Sequence, residues 1–244
     1  MINLEKITEG IRFLSQAGLN LYAVLDCASL PQDVLEMMRQ QGIRLERYSR
    51  LVLLGHGGRR LWEGLEAFGH QTNDPVDYYS LVMTKTFIEQ YLGSPSSLML
   101  YPLSSITIPL QRLGELAGWS HPSPLGIGIN EQYGVWFAYR SAFLTTLALP
   151  LTDDQRTQSP CDACYDKPCI SGCPSGAVQG VDLFDIYKCG NFRVQEDSVC
   201  QDRCLARMAC PYAPQHHYTL EQIRYHYSLS FKTIKLYHVG IADQ

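Results

Sequence analysis

Apolar residues along the first 150 positions alternate between two periods. Ile7, Ile11 and Leu14 recur at helical spacing and predict an amphipathic helix over 4–17, followed by a short buried strand over 19–25. Pro31 opens a second helix through Val34, Leu35 and Met38 that stops at Gly42. Leu51–Leu54 reads as another buried strand, ending in Gly55-His56-Gly57-Gly58 ahead of a helical stretch. A longer helix is expected from Asn73 or Asp74, with Pro75 in its first turn, to about Leu92. A strand over 97–103, a short helix marked by Leu110, Leu113 and Leu116, and two strands near 126–130 and 134–149 complete the set. Helix and strand in alternation predict an α/β core with a covered sheet.

The pattern then changes. The stretch from Pro150 to Pro160, with Asp153, Asp154, Gln155 and Arg156, is polar and reads as a linker. Beyond it lies a segment rich in Gly, Pro and Asp and poor in periodic apolar residues, which predicts that a metal supplies part of its stability. The aromatic tail from about Leu220 to Val239 fits a helix through Ile223, Tyr227, Phe231 and Ile234, although Tyr225, Tyr227, Leu229 and Phe231 alternate as a strand would. The chain divides accordingly into a core at 1–152, a cysteine module at 153–215 and a tail at 216–244 that packs on the core.

Composition adds little until the cysteines are counted. A net charge of −4 offers no strong attraction for nucleic acid or an anionic membrane. No apolar run approaches the roughly 18 residues of a membrane span. The first residues lack a secretory apolar core, so the cytoplasm is the expected compartment. Of nine cysteines, eight fall between Cys161 and Cys210, and only Cys27 lies outside, at the end of an apolar run where a buried thiol is expected. Such a block points to metal rather than disulfides.

The first half of the block is Cys161-x2-Cys164-x4-Cys169-x3-Cys173-Pro174. The second is Cys189, then Cys200-x3-Cys204-x5-Cys210-Pro211. Three close cysteines reach three irons of one cubane, and a fourth followed by proline carries the chain toward the other cluster, as in two-cluster ferredoxins. That crossover assigns one 4Fe–4S cluster to Cys161, Cys164, Cys169 and Cys210, and the other to Cys173, Cys189, Cys200 and Cys204. Two structural zinc sites would also use eight cysteines, but zinc favours paired C-x2-C knuckles without cysteine–proline ends. Disulfides, and a single cluster with spare cysteines, remain open alternatives.

Gly118-Trp119, Glu131-x-Tyr133-Gly134-x-Trp136-Phe137 and Leu147-Ala148-Leu149-Pro150-Leu151, running into this block, resemble the cobalamin-dependent epoxyqueuosine reductases, relatives of the reductive dehalogenases. Asp74-Pro75-Val76-Asp77 and Tyr133-Gly134-Val135-Trp136-Phe137-Ala138-Tyr139-Arg140 resemble the cobalamin-processing protein of the CblC type. The resemblance spans roughly residues 70 to 211. It implies a nitroreductase-like core holding a base-off cobalamin and a C-terminal ferredoxin-like module with two 4Fe–4S clusters that feeds it electrons. The corrinoid would lie against Trp119, His121, Gly126, Gly128, Tyr133, Gly134, Trp136 and Phe137. A flavin in the same place is less favoured, because no phosphate-binding fingerprint accompanies it.

The chain departs from the reductases in three places. Where they carry an acidic proton donor, Tyr101-Pro102-Leu103-Ser104-Ser105 has no carboxylate. Their basic run after the tryptophan is replaced by Ser120-His121-Pro122-Ser123-Pro124, and their C-terminal helical repeats are absent. Reduction of epoxyqueuosine on tRNA is therefore not expected. The expected protein is a redox enzyme that reduces a corrinoid, for cobalamin processing or small-molecule chemistry. The alternative is an electron-transfer or corrinoid-carrier protein without substrate chemistry. Its partners would be the corrinoid and an external electron donor, with no nucleic acid and no membrane; a homodimer is compatible with the sequence.

Other residues have plainer readings. His121 is a weak candidate for a proton donor, since histidine titrates near neutrality, against a loop histidine satisfied by backbone. His216-His217 read as surface residues. The arginines from Arg39 to Arg60 read as a solvated face, and Gly55-His56-Gly57-Gly58 as a strand-to-helix turn in preference to an anion-binding loop.

Overall fold

Four strands carry the first part of the chain. The computed structural model describes residues 3–69, 72–93, 95–103, 105–153 and 157–242, with side chains to residue 237. Ser104 and the linker residues Asp154, Gln155 and Arg156 lie outside the described residues. The chain folds as two compact units: 1–120 with 137–157, and 121–136 with 158–244.

In the first unit, α1 (Leu4–Gln16) is capped by Asn3, whose side chain accepts from Lys6 N–H at 3.1 Å, and buries Ile7 and Leu14. Strand β1 (Leu21–Asp26), α2 (Gln32–Gln40), β2 (Arg50–Gly57), α3 (Arg60–Phe68), α4 (Pro75–Thr86), β3 (Ser97–Tyr101), α5 (Leu110–Leu116) and β4 (Phe137–Thr145) follow. The expected helix beyond Asp74 continues past α4 as a π turn over Phe87–Tyr91. The sheet order is β1-β2-β4-β3, and every pair is antiparallel. Helix–strand alternation therefore produces a mixed α/β unit on an antiparallel sheet. The two central strands are covered on both faces: Leu51 and Leu53 join the cluster of Val34, Met38, Leu100 and Leu113, while Val52, Leu54 and Phe143 are equally buried outside it.

Two sequence expectations change here. Gly55-His56-Gly57 is not a turn but the end of β2, pairing with β4 as His56↔Ala138 and Gly57↔Phe137 past a bulge at Leu54/Gly55. The strand expected near 126–130 is a loop. His121 and Ile129 form one isolated bridge, Asn130 and Gly134 another, and the Asn130 side chain accepts from the N–H groups of Gln132 and Tyr133 at 2.9 Å each. An asparagine that hydrogen-bonds the backbone two and three residues on closes a turn where a strand would have to continue.

The second unit holds short helices α6 (Pro168–Ser171), α7 (Ile186–Val194) and α8 (Leu205–Met208), then the tail as one long helix α9 (Leu220–Ala242). Its apolar cluster is assembled from distant pieces: Leu125, Ile129, Val135 and Trp136 pack with Val178, Ala206, Tyr218 and Ile223, and with Cys169 and Cys210. The cysteine segment thus has an apolar core after all, to which 121–136 brings four buried residues and α9 brings Ile223. The tail packs within this unit, where α9 meets α7. Among the described residues, no helix is long and apolar enough to cross a membrane.

Candidate iron–sulfur sites

The eight clustered cysteines line two cavities. One, of about 400 Å³, is bordered by Cys161, Cys164, Cys169 and Cys210, together with Pro124, Ile129 and Glu131 from the preceding loop. The other, of about 300 Å³, is bordered by Cys173, Cys189, Cys200 and Cys204, together with Leu125, Gly126 and Ile127. The thiols interact electrostatically within the same two sets: Cys161 with Cys164, Cys169 and Cys210, and Cys189 with Cys173, Cys200 and Cys204. Among the described residues, no three His, Cys, Asp or Glu side chains converge closely enough for a single metal ion.

Local sequence explains the placement. Asp185 caps α7 through Lys188 N–H at 2.8 Å, which sets Cys189 one turn in. Cys204 is itself the N-cap of α8, its sulfur accepting from Arg207 N–H at 3.4 Å. Lys167 stands at φ 38° before α6, and its ammonium donates to the carbonyls of Cys161 and Cys164 at 2.8 and 3.2 Å.

Burial pushes up the thiols of Cys161, Cys169, Cys200 and Cys210, and that of Cys189 to about 11. Cys173 is the exception. Burial raises it too, but the Ser175 hydroxyl and the N–H groups of Val178, Ala177 and Ser175 all stabilise its thiolate and bring it below the ordinary thiol value. Cys27 lies in the first unit and is buried, and burial with Asp26 beside it pushes its thiol up to about 12.

The residues expected to hold a corrinoid are shared between the two units. Trp119, in the first, is buried and stacked on Tyr139, with ring centroids 6.2 Å apart; Phe137 meets the same tyrosine edge-on at 5.7 Å. In the second, Tyr133 packs on His216 at 4.7 Å, and Trp136 lies between His217 and Tyr218 at 4.6 and 5.2 Å. His216 and His217 are therefore half-buried packing partners, not surface residues; the single turn of helix at 214–216 folds them back. A Cβ at Gly126 (φ 68°) would meet the Phe184 ring at 2.8 Å, and one at Gly134 (φ 60°) the Tyr212 carbonyl at 2.9 Å. Both glycines are demanded by the protein's own packing. Gly128 sits in the same loop, half-buried, and His121 bridges Ile129 through backbone.

The first unit has its own polar cleft of about 470 Å³, bordered by Asp74, Asp77, Tyr78 and Tyr101, while another cavity of about 430 Å³ beside Cys27 and Tyr48 is lined by α2 and its flanking turns. Trp119, His121, Tyr133, Gly134, Trp136 and Phe137 line neither of these two cavities and neither of the cysteine cavities. Arg140 joins the two segments that resemble the CblC type: its Nη1 lies 3.9 Å from Asp77, and its Nε donates to Nδ1 of the fully buried His56 at 2.9 Å. Burial holds the Asp77 carboxyl above the ordinary carboxylate value against the pull of Arg140. The stretch 101–105 indeed lacks a carboxylate, but the fold brings one to Tyr101 from α4. The Asp-Pro-Val-Asp run was the available signal.

No protein-family profile and no characterised sequence matches the chain. Solved structures do share its fold. An epoxyqueuosine reductase from Bacillus subtilis aligns over 89% of this chain and 68% of its own, at 10% identity and a TM-score of 0.60. An epoxyqueuosine reductase in complex with a tRNA stem loop aligns over 91% and 69%, at 10% identity and a TM-score of 0.56. The catabolic reductive dehalogenase NpRdhA with 3-bromo-4-hydroxybenzoic acid aligns over 94% of this chain but only 34% of its own, at 12% identity and a TM-score of 0.54. At such identities the likeness is one of fold. The RNA complex corrects one expectation: a protein of this fold binds nucleic acid, so a net charge of −4 does not rule out that partner.

Proposed function

We propose that this chain is an iron–sulfur redox protein. Cys161, Cys164, Cys169 and Cys210 would hold one 4Fe–4S cluster, and Cys173, Cys189, Cys200 and Cys204 the other, in a ferredoxin-like module. The observation behind this reading is that the two sets, four thiols each, border separate cavities of about 400 and 300 Å³. Four thiolates lining a cavity suit a polynuclear cluster, and the cysteine–proline ends set the two sets apart from paired zinc knuckles. Such clusters supply one-electron transfer when bound. The chain's own residues deliver the remaining requirements: the loop at 124–131 covers both cavities with apolar side chains, Lys167 fixes the backbone of the first set, and Ser175 stabilises the Cys173 thiolate. An external one-electron donor and a thiol-preserving compartment such as the cytoplasm complete this reading.

The acceptor we propose is a corrinoid, on the strength of the resemblance to epoxyqueuosine reductases and to the CblC type, and of a fold shared with reductases. The aromatic residues named for it each pack on another ring of their own unit. That packing favours the second reading, an electron carrier without substrate chemistry.

The test begins with anaerobic reconstitution by iron and sulfide. About eight irons and eight sulfides per chain are expected; zinc retained in place of iron would overturn the cluster assignment. Cob(II)alamin is then titrated in and followed by EPR. Loss of the nitrogen hyperfine pattern, saturating near one equivalent, supports a base-off corrinoid site. An unchanged spectrum over intact clusters leaves the electron carrier and removes the corrinoid.

A further inference from the structure

The two cysteine sets do not share the same electrostatic surroundings. Burial does not separate them, since each contains both buried and half-buried cysteines. Charge does. The first cavity is bordered by one cation, Lys167, and by exposed Glu131 and Asp162. The second is bordered by Arg193, Arg203 and Arg207, with no carboxylate among its lining residues. Arg203 is neutralised by Asp202, at 2.6 and 3.1 Å. Arg193 and Arg207 have no carboxylate partner among the described residues.

Arg193 is buried and spends its donors on neutral oxygens: the carbonyls of Cys200, Gln201 and Tyr227 at 3.0, 3.1 and 2.9 Å, and the Ser230 hydroxyl at 3.0 Å. Its guanidinium lies over the Tyr227 and Phe231 rings at 5.3 and 6.0 Å. Arg207 donates to the Val135 carbonyl and lies over Trp136 and Tyr218 at 4.8 and 5.1 Å. Tyr227 borders the same cavity as Cys204 and Arg207, and its hydroxyl interacts electrostatically with both. Four neutral acceptors and two aromatic faces are an expensive way to bury a cation, and no carboxylate lines the cavity to offset its charge. An anionic cluster in the adjoining cavity would offset it.

We propose that the cluster held by Cys173, Cys189, Cys200 and Cys204 has the higher reduction potential of the two, set by buried Arg193 and by the Tyr227 hydroxyl beside the same cavity. The proposal rests on the iron–sulfur reading above. Reduction adds one electron, and so one negative charge, to the iron core; an uncompensated cation and a hydroxyl dipole beside the ligands both stabilise that form. The first electron from an external one-electron donor therefore rests on the second set, and the first set is reduced only afterwards.

The experiment is a dithionite titration of the reconstituted protein followed by EPR, with iron and sulfide counted beforehand. Two separate midpoints are expected, and Cys161→Ser, which disables the first set, must retain the higher one. Tyr227→Phe, which removes only a hydroxyl, must lower that midpoint and leave the other unmoved. Arg193→Gln must lower it further, while Arg193→Lys, which keeps the charge, restores it. Coincident midpoints in the parent protein, or a Tyr227→Phe shift in the lower midpoint or in neither, would overturn the proposal. Absence of iron and sulfide from the parent protein would instead defeat the cluster reading, so the two failures are told apart. Should Arg193→Gln not fold, Tyr227→Phe decides alone.

Discussion

The two units are stabilised by different means. In the first, the apolar pattern does the work: Leu51, Leu53, Leu100, Ala142 and Leu144 are sealed from solvent in a cluster that needs no ligand. In the second, Cys169 and Cys210 are themselves members of the apolar cluster, and Cys161, Cys173 and Cys204 pack against it. Its core and its proposed metal sites use the same side chains. The first unit should therefore persist without iron, and the second should not.

Iron removal gives the largest effect. Chelation is expected to open the second unit, so that iodoacetamide at pH 8 labels all eight of its cysteines while Cys27 stays unlabelled, being buried with its thiol pushed up to about 12. Peptide mass analysis reads the pattern directly. Labelling of Cys27 at the rate of the others would erase the contrast between the units.

Leu53→Ala approaches the same contrast from the other side. Leu53 is fully buried at the centre of the sheet, and the truncation should cost about 2–5 kcal/mol, seen as a lower urea midpoint for the first unit. Iron content per chain should stay unchanged below that midpoint. Parallel loss of iron would mean that the units do not fold separately.

The smallest effect is a pH dependence at Asp77. Its folded pKa is raised, so the folded chain holds the proton more tightly than the unfolded chain. Stability therefore falls as pH rises from the ordinary carboxylate value through the folded one, and the full cost is present above the folded one. Asp77→Asn should raise the melting temperature slightly at pH 7 and leave it unchanged below pH 3. An equal gain at both values would show that the carboxylate's charge is not the cause.

Legibility in the sequence follows the same division. α1, α2, α4, α5 and all four strands could be read from periodicity, because their partners in the core are met through repeating local patterns. His56 misled, since glycines on either side of a histidine look like a turn, while the pairing that keeps them in β2 comes from β4, some eighty residues on. The loop at 121–136 misled further: Leu125, Ile129 and Trp136 look like strand core and belong with residues beyond 160. Cysteine spacing was legible down to the two sets of four that border the two cavities. Arg193, Arg207 and Tyr227 were not, because nothing local distinguishes an arginine that ends beneath a tyrosine ring from one in water.

The affiliation of 121–136 also bears on how the chain is made. Val135 accepts its bond from Arg207, 72 positions later. At synthesis rates of roughly 5–20 residues per second, Val135 and Trp136 wait about 4–14 s before their partner even exists. During that interval Val135 and Trp136 lack the later residues they pack with, and the loop is open to chaperones and to self-association.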